Sequence, residues 1–362
     1  TVLDLYAGCG GLSLGLKNAG FQTLTMVERD KWACLTLKEN FKKTEIIEDS
    51  VQNFYENYKS KKYDVITGGP PCQGFSIAAS NRRIPKDKRN EEYISFFKVC
   101  FSLLPKVIIM ENVPEIIKFK NQKGLKIIED ISNQCKNFGY TLSWNIIKVA
   151  NYGIPQKRKR FFLVALKGNK KFKFPPQTHS EKGDLLTKPY LTINDAISDL
   201  PEVHPKQHDE DDVIDYKEKP NNFYQRNLRG DSKKLHNHIS MRHTDKTVNK
   251  FENIRNNASK SSFDQNHRLI KKEQPSPTIT ASFYSSFIHF NQNRNLTVRE
   301  AARIQTFPDK FIFKGKKTTL SKSLLRKKGI FSELHLDQFN QVGNAVPPKF
   351  AEILGNHIKG YL

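Results

Sequence analysis

The chain of 362 residues is long enough for one large domain and a smaller second one, with a substantial apolar core. Its 60 Lys and Arg against 37 Asp and Glu give a net charge of +23, which predicts a polyanionic partner, nucleic acid before a membrane surface. It has no run of about 18 apolar residues and no charged-then-apolar leader before Thr1, so we expect neither a membrane span nor secretion.

Short apolar runs alternate with helical patterns through the first half of the chain, which predicts an α/β class fold with a doubly wound parallel sheet. Prolines and scattered lysines between about residues 172 and 192 indicate a domain boundary. Residues 201–273 are strongly polar without a clear period. The predicted strands are residues 2–6, 23–28, 64–67, 107–111, 142–149 and 160–166, and the predicted helices are residues 11–18, 31–40, 93–104, 125–138, 298–307 and 347–359.

A glycine-rich segment, residues 6–11, lies where the first predicted strand gives way to the first helix. Its glycines would let backbone amides approach a ligand, and Glu28, which ends the second strand, could accept hydrogen bonds from ribose hydroxyls. Ser13 occupies the third glycine position of the GxGxxG pattern, which favours a smaller adenosyl ligand over a dinucleotide. These residues alone leave open a plain glycine turn beside a solvated acid.

The segment GGPPCQGFS places Cys72 directly after the predicted strand 64–67. Open α/β sheets bind ligands at the carboxyl ends of their strands, and the flanking prolines and glycines would hold a thiolate at attack distance. The five cysteines form no CxxC pair and are odd in number, so they predict neither a structural zinc nor a disulfide scaffold. All ten histidines follow residue 178, and a protease-like Cys/His pair is not supported.

Charged residues lie at one end of each of two further predicted strands. Glu111 ends one of them, where a partly apolar pocket could keep its carboxyl protonated and make it a general acid. Arg158 and Arg160, two residues apart before an apolar strand, would point to the same side. Taken alone, Glu111 is as readily a structural acid, and the basic run as readily a solvated face.

Together and in this order, the segments resemble the DNA (cytosine-5)-methyltransferase family of bacterial restriction-modification systems. The resemblance runs through nearly the whole chain. It implies the Rossmann-like doubly wound sheet of S-adenosylmethionine-dependent methyltransferases, with a smaller target-recognition domain. The segments that carry it are residues 6–11, 70–76, 111–113, 156–160, 299–308 and 341–348.

The resemblance implies a reaction in which Cys72 adds to C6 of a cytosine, whose C5 then takes a methyl group. Glu111 would contact or protonate N3, Arg160 would hold the O2 side of the base, and Arg158 would support the loop and a phosphate. Loss of the C5 proton would expel the cysteine, and no metal is required. The cytosine must first be extruded from the duplex.

The same resemblance implies S-adenosyl-L-methionine as the cofactor and S-adenosyl-L-homocysteine as its product. Glu28 would bind the ribose, and Asp49 and Pro71 would lie beside the adenine. Arg29 stands where many relatives have an aromatic residue, for which Trp32 is the candidate replacement. The residues expected at the cofactor are Tyr6, Ala7, Gly8, Gly10, Gly11, Glu28, Arg29, Asp49, Ser50, Pro71, Asn344 and Val346.

Double-stranded DNA is the implied partner of a cytoplasmic, nucleoid-associated prokaryotic monomer, with a cognate restriction endonuclease acting separately. Gln73, Ser76 and Arg299 would contact DNA, and residues 81–92 would close over it. Within the predicted junction, residues 314–340 form a basic insertion that either touches DNA or is a solvated spacer. The predicted domains are residues 1–185 completed by 341–362 for catalysis and cofactor, 186–290 for target recognition, and 291–340 for the junction.

Three alternatives are open at this point. An RNA methyltransferase of the same fold would usually carry a different residue at Gly74 and a Cys-Phe-Thr segment, which the sequence lacks. A non-catalytic DNA-binding homologue would tend to lose the cysteine or the acid, and both are present. A nicotinamide-dependent oxidoreductase is disfavoured by Ser13 and leaves Cys72 unexplained.

Overall fold

The structure, a computed structural model, describes residues 1–57, 61–71, 92–121, 124–205, 213–257, 268–320 and 322–362. Cys72, Gln73, Gly74, Ser76 and all of the segment 81–92 except Glu92 lie outside the described residues. The chain divides into two compact units. Unit 1 comprises residues 1–148, 159–176 and 348–362, and unit 2 comprises residues 149–158 and 177–347.

Unit 1 is built around one mixed sheet of seven strands. Across the sheet the strand order is β3-β2-β1-β4-β5-β7-β6. Strands β1 to β5 pair in parallel, whereas β7 runs antiparallel to both β5 and β6. In chain order the strands are β1 (Val2–Leu5), β2 (Thr23–Glu28), β3 (Glu45–Glu48), β4 (Val65–Gly68), β5 (Val107–Asn112), β6 (Tyr140–Lys148) and β7 (Lys159–Lys167).

The apolar runs correctly predict six of these seven strands. The exception, β3, is a short edge strand whose two isoleucines are flanked by glutamates, so its apolar signal is weak. The sheet departs from the predicted parallel pairing at β7. Between β6 and β7 the chain forms a 3-10 turn, Val149–Tyr152, and no crossover helix, so the strand returns antiparallel.

Each helix predicted from sequence begins and ends within three residues of the observed bounds. In unit 2, the strands of the described residues are only two or three residues long, so residues 201–273 show no clear strand period. The helices Phe223–Arg229 and Asp245–Asn256 of this stretch were not predicted. These strands are β8 (His179–Ser180), β9 (Lys188–Pro189), β10 (Val213–Asp215), β11 (Lys234–His236), β12 (Arg268–Leu269) and β13 (Phe287–Ile288). The helices of the described residues are α1 (Gly11–Asn18), α2 (Lys31–Asn40), α3 (Val51–Asn57), α4 (Glu92–Leu103), α5 (Ile127–Asn137), α6 (Ile193–Ile197), α7 (Phe223–Arg229), α8 (Asp245–Asn256), α9 (Val298–Ile304), α10 (Lys322–Lys327), α11 (Gln338–Asn344) and α12 (Pro348–Ile358).

The centre of the sheet is buried along whole strands. Every residue of β1, β4 and β5 is buried, as expected for parallel strands covered on both faces. Helix α4 adds Phe96 and Phe97 to this core, and each buried ring contributes about 1.5–3 kcal/mol by leaving water. The core therefore holds the carboxyl ends of the central strands in place.

Helix α12 completes unit 1 by packing against α1. The contact is close, because a Cβ atom on Gly15 would lie 2.2 Å from the carbonyl oxygen of Pro348. On the other helix, a Cβ atom on Gly355 would lie 2.9 Å from the Cβ atom of Ala19. The two glycines therefore permit the observed distance between the helices.

Ser13, the residue at the third glycine position, has a structural role in unit 1. Its Oγ donates a 2.6 Å hydrogen bond to Oδ2 of Asp4, and both residues are buried. Burial raises the pKa of Asp4 to about 7, although the Ser13 hydrogen bond favours the ionised carboxylate. The pair ties the first turn of α1 to β1.

Substitution of Gly15 by Ala should destabilise unit 1. The added methyl group would press on the backbone of α12, and overpacking of this kind costs about 1–3 kcal/mol of unfolding free energy. We expect a net loss even though Ala favours a helix by about 1 kcal/mol over Gly. Urea unfolding measures the effect, and Gly360→Ala, whose methyl group would enter open space, is the matched control. Equal midpoints for the two variants would contradict this account.

Asp4→Asn should remove one pH-dependent contribution to stability. With a pKa of about 7 when folded and 3.8 as the reference value, Asp4 holds a proton between these values only in the folded chain. Its contribution is therefore complete below the lower value and declines as the pH rises to the upper one, by up to about 1.4 kcal/mol per pH unit. Urea unfolding of both proteins from about pH 4 to about pH 7 measures it. A difference in unfolding free energy that stays constant over this range would contradict the assignment.

Candidate active site

The carboxyl ends of β1 to β5 lie along one edge of the sheet, because these strands are parallel. Each of the five ends carries residues that the sequence analysis selected. The glycine-rich segment follows β1, Glu28 ends β2, Asp49 follows β3, Pro71 lies just after β4, and Glu111 lies one residue before the end of β5.

The glycine-rich segment turns sharply between β1 and α1. Tyr6, Gly8 and Gly10 have φ angles of 56°, 55° and 89°, a left-handed conformation that is uncommon for a bulky residue such as Tyr6. Gly10 is the N-cap of α1, and no side chain of the described residues caps this end. Among the described residues, and apart from the chain neighbours of Gly8, no atom lies within 4 Å of the position that a Cβ atom on Gly8 would take. A ligand can therefore reach the backbone at Gly8.

Glu28 links the glycine-rich segment to the start of α2. Its Oε2 accepts a hydrogen bond from the Gly8 N–H and its Oε1 accepts one from the Asp30 N–H, each at 2.8 Å. Burial raises the pKa of Glu28, and the two backbone N–H groups oppose that shift. Asp30 in turn caps α2 by accepting from the N–H groups of Trp32 and Ala33. Each carboxylate oxygen retains a lone pair for a further donor.

Glu92, which the sequence analysis placed only at the end of the closing segment 81–92, contacts two predicted cofactor residues. The Tyr6 hydroxyl donates to Oε2 of Glu92 at 2.8 Å, and Nη1 of Arg29 lies 3.6 Å from Oε1. Burial and the neighbouring carboxylate raise the pKa of Tyr6. Nothing in the sequence signals this contact, since 86 positions separate Tyr6 from Glu92.

Asp49 and Ser50 form the turn between β3 and α3. Oδ1 of Asp49 accepts from the Ser50 N–H at 2.7 Å and from Nδ2 of Asn53 at 2.8 Å. Oγ of Ser50 accepts from the Asn53 N–H at 3.1 Å. These bonds hold the turn at the same sheet edge as Glu28, because β2 and β3 are parallel neighbours.

Glu111 and Arg160 form the ion pair that joins β5 to β7. Nε of Arg160 lies 2.9 Å from Oε1 of Glu111, and the side chains are only 17% and 11% exposed. The antiparallel pairing brings the carboxyl end of β5 to the amino end of β7, so the two residues meet at the site edge. Low exposure strengthens their attraction relative to a surface pair.

The segment that leads to Cys72 is held against Glu111. Nδ2 of the buried Asn112 donates a 3.1 Å hydrogen bond to the carbonyl oxygen of Pro70. A Cβ atom on Gly69 would lie 3.2 Å from Oε2 of Glu111, so the backbone passes close to the carboxylate. Asn112 belongs to the segment 111–113 that carries the resemblance, but its acceptor becomes evident only in the structure.

Arg158 lies in unit 2 and is fully buried. Its Nη1 donates to the carbonyl oxygens of Ile279 at 2.7 Å and Gly343 at 3.0 Å. Strand β7 begins at Lys159, so the alternation that was expected to align Arg158 with Arg160 does not apply. Contrary to the predicted phosphate contact, the buried guanidinium of Arg158 binds two backbone segments.

Two buried glutamines extend the contacts of Arg158. Nε2 of Gln156 donates to Oε1 of Gln305 at 2.9 Å, and Oε1 of Gln156 accepts from the Ile279 N–H at 2.9 Å. Nε2 of Gln305 donates to the carbonyl oxygen of Val342 at 2.9 Å. Separate segments that carry the resemblance thus meet inside unit 2. Two predicted cofactor residues follow Val342 within four positions. Asn344 is exposed and Val346 is buried.

The predicted DNA contact of Arg299 is wrong. This residue of α9 is fully buried, and its Nε donates to the carbonyl oxygen of His236 at 2.9 Å. Its Nη1 and Nη2 donate to the carbonyl oxygens of Pro308 at 3.0 Å and Phe311 at 2.6 Å. A guanidinium enclosed in this way cannot reach a phosphate, and it binds three backbone carbonyls from two separate segments instead.

Arg303, one turn further along α9, forms a buried charge cluster that the sequence did not predict. It binds Asp199 and Asp309 at distances from 2.6 to 3.2 Å. Burial opposes ionisation of Asp309, but Arg303 holds the pKa of that carboxyl below its usual value. Asp199 lies 104 positions from Arg303, so no local pattern could pair them.

Within the described ranges, no group of three or more His, Cys, Asp or Glu is arranged to hold a metal ion. Among the helices of those same ranges, none is long and apolar enough to cross a membrane.

Known proteins resemble this chain in both sequence and structure. Type II methyltransferase M.DdeI of Desulfomicrobium norvegicum is 37% identical over 383 residues, covering 99% of this chain and 88% of its own. Type II methyltransferase M1.HphI of Haemophilus parahaemolyticus is 30% identical, covering 99% and 86%. A prophage-encoded E. coli chain, named as a candidate DNA modification methyltransferase, has a TM-score of 0.74 at 25% identity, covering 99% and 98%.

A more distant structure shares the fold alone. The Dnmt2 methyltransferase of S. pombe has a TM-score of 0.58 at 16% identity and covers 99% of this chain and 98% of its own. The model of the C-5 cytosine-specific DNA methylase family matches residues 1–360. With the sheet edge described above and this match over nearly its full length, the chain belongs to the C-5 cytosine-specific DNA methylase family.

Proposed function

We propose that the protein transfers a methyl group to C5 of cytosine within a specific sequence of double-stranded DNA. The observation that carries the proposal is the arrangement at the ends of β4 and β5. Asn112 binds the carbonyl oxygen of Pro70, and the chain passes beside Glu111, which pairs with Arg160. Cys72 follows Pro70 by two residues, so this segment can carry its thiolate to the same carboxyl and guanidinium.

The proposed chemistry begins at C6, because C5 of cytosine is too weak a nucleophile to take a methyl group directly. The Cys72 thiolate forms a bond to C6, and the displaced electron pair makes C5 nucleophilic. Glu111 contacts or protonates N3 and so stabilises the charge that develops, while Arg160 orients Glu111 and holds the O2 side of the base. After C5 takes the methyl group, loss of its proton expels Cys72 and restores the aromatic ring.

S-adenosyl-L-methionine is the methyl donor that this family uses, and it leaves as S-adenosyl-L-homocysteine. The sheet edge of unit 1 fits such a ligand. The backbone is open at Gly8, and the Glu28 carboxylate can accept from ribose hydroxyls in addition to its two N–H donors. We propose the same role for the remaining residues of the expected set, which are Tyr6, Ala7, Gly10, Gly11, Arg29, Asp49, Ser50, Pro71, Asn344 and Val346.

Extrusion of the target cytosine costs a few kcal/mol, which contacts to the DNA backbone must offset. The net charge of +23 can supply such contacts. Gln73 and Ser76 remain proposed as contacts to phosphate or to the closing loop. The relatives are named as type II methyltransferases, and a restriction endonuclease that acts separately on the same sequence is the partner we propose.

In place of Arg299, we propose a basic turn, residues 326–328, as a phosphate contact of unit 2. Arg326, Lys327 and Lys328 are all exposed, and within the described chain none of them forms an ion pair. The N–H groups of Gly329 and Ile330 donate to the carbonyl oxygens of Arg326 and Leu325, which closes the C-terminus of α10. The fully buried Leu325 anchors this turn.

A covalent adduct tests the proposed chemistry. Bisulfite sequencing of a plasmid that carries the gene first identifies the methylated cytosine, and a duplex with 5-fluorocytosine at that position is then incubated with the protein and S-adenosyl-L-methionine. We expect a denaturant-stable adduct, because fluorine cannot leave as the proton does. Cys72→Ser should form none, and Glu111→Gln should form it about 10²- to 10⁴-fold more slowly. A denaturing gel measures the adduct.

Cys135→Ser is the control for this experiment, because Cys135 is buried in α5 and should not affect the adduct. A wild-type protein that methylates the duplex yet forms no adduct with the fluorinated duplex would refute the covalent step.

The salt dependence of DNA binding tests the basic turn. Each phosphate that is bound adds about 0.9 to the magnitude of the slope of log K against log salt concentration. The triple variant Arg326→Gln, Lys327→Gln and Lys328→Gln should therefore show a shallower slope, by roughly that amount for each phosphate it no longer binds. The control replaces the exposed lysines Lys170, Lys171 and Lys173 of unit 1 with Gln and should leave the slope unchanged. Equal slopes for the two triple variants would exclude the turn as a phosphate contact.

A further inference from the structure

One face of helix α8 carries amide and ammonium groups and no acid. The residues of this face recur at intervals of three and four, which places them on one side of the helix. The two acids of the helix, Asp245 and Glu252, lie to one flank of that face. The face consists of Lys246, Asn249, Lys250, Asn253 and, just after the last turn, Asn257, all of them exposed.

The opposite face of α8 accounts for its stability. Phe251 is buried and its ring lies 5.3 Å from the ring of His243. Nη1 of Arg255 donates to the carbonyl oxygen of Asn291 at 2.7 Å. The N-terminus is capped by Thr244, whose hydroxyl accepts from the Thr247 N–H. These contacts anchor α8 in unit 2.

Two asparagines of the amide face, Asn249 and Asn253, do not stabilise the helix. Asn is a poor helix former, since its side chain competes for hydrogen bonds with nearby backbone groups. At an exposed position, a residue of higher helix propensity could replace it without loss of packing. Asn257 has a local role, because its Nδ2 donates to the carbonyl oxygen of Asn253. The side chains of Asn249 and Asn253 have no hydrogen-bond partner within the described residues.

The side-chain amides of Asn249 and Asn253, one turn apart, can form hydrogen bonds with the edges of DNA bases. The major groove of DNA admits an α-helix, and Asn can bind N6 and N7 of adenine with two hydrogen bonds. Asn249 and Asn253 are separated by about 6 Å along the helix axis. That distance corresponds to roughly two base pairs of DNA at about 3.4 Å each. Lys246, on the same line, supplies positive charge for a flanking phosphate.

We propose that α8 is a base-reading helix of this enzyme, with Asn249 and Asn253 each contacting a base, preferentially adenine, in the major groove. The inference rests on the proposed DNA substrate and goes beyond it by naming residues that select the target sequence. It places sequence selection on a packed helix of unit 2, with Lys246 positioning that helix on the DNA backbone.

The test compares the sequences that each variant methylates. Wild type, Asn249→Ala, Asn253→Ala and the double variant act on plasmid libraries randomised around the target cytosine, and bisulfite sequencing gives the preference at every position. We expect each single variant to lose its preference between bases at a different position of the target sequence. The loss should be roughly 5- to 150-fold, which corresponds to one bidentate contact with a base. The double variant should lose it at both positions.

Glu252→Gln is the matched control, because Glu252 is exposed on the same helix outside the amide face. It should keep the wild-type preference. Ala is the better helix former, so the melting temperatures of the Asn variants should not fall, and a loss of discrimination cannot then be ascribed to unfolding.

Two results would overturn the inference. The Asn variants could keep the wild-type preference at all positions, or their methylation could fall equally on every sequence, which would indicate a phosphate contact. A wild-type protein that methylates no cytosine in the library would instead refute the proposed function. The two failures are therefore distinguishable.

Discussion

Parallel pairing of β1 to β5 is the constraint on which the candidate site depends. Parallel neighbours end at the same sheet edge, so loops that are far apart in sequence must meet there. The glycine-rich segment, Glu28 and Asp49 are brought to that edge by β1, β2 and β3. The continuous burial of the central strands holds the ends in place, which is what a site built from several loops requires.

The ion pair between Glu111 and Arg160 depends on β7, the strand that runs antiparallel to its neighbours. Because β7 returns antiparallel to β5, its first residues lie beside the last residues of β5, and a guanidinium reaches the carboxylate. A crossover helix between β6 and β7 would have placed Arg160 at the other edge. The reversed strand therefore has a chemical consequence, since it supplies the cation that orients the acid proposed to act on the base.

The positive charge of the chain has two different uses. Arg158, Arg299 and Arg303 are fully buried and bind carbonyl oxygens or aspartates inside unit 2. Their planar groups of several donors can hold separate backbone segments, a structural role that lysine could not fill in the same way. Net charge alone therefore overstates what is available to DNA, and the exposed amide face of α8 and the basic turn at residues 326–328 are better indicators.

The sequence by itself determined the α/β class, six of the seven strands, the helices α1, α2, α4 and α5 of unit 1, and the family, because these depend on local periodicity and on short motifs. Only the tertiary structure decided that Asn112 holds Pro70, that Glu92 binds Tyr6, and that Arg299 faces inward. Each of these contacts joins residues that are distant in the chain or depends on which way one side chain of a buried helix points. Neither is encoded in a local pattern, because burial of an arginine depends on acceptors that other segments bring to it.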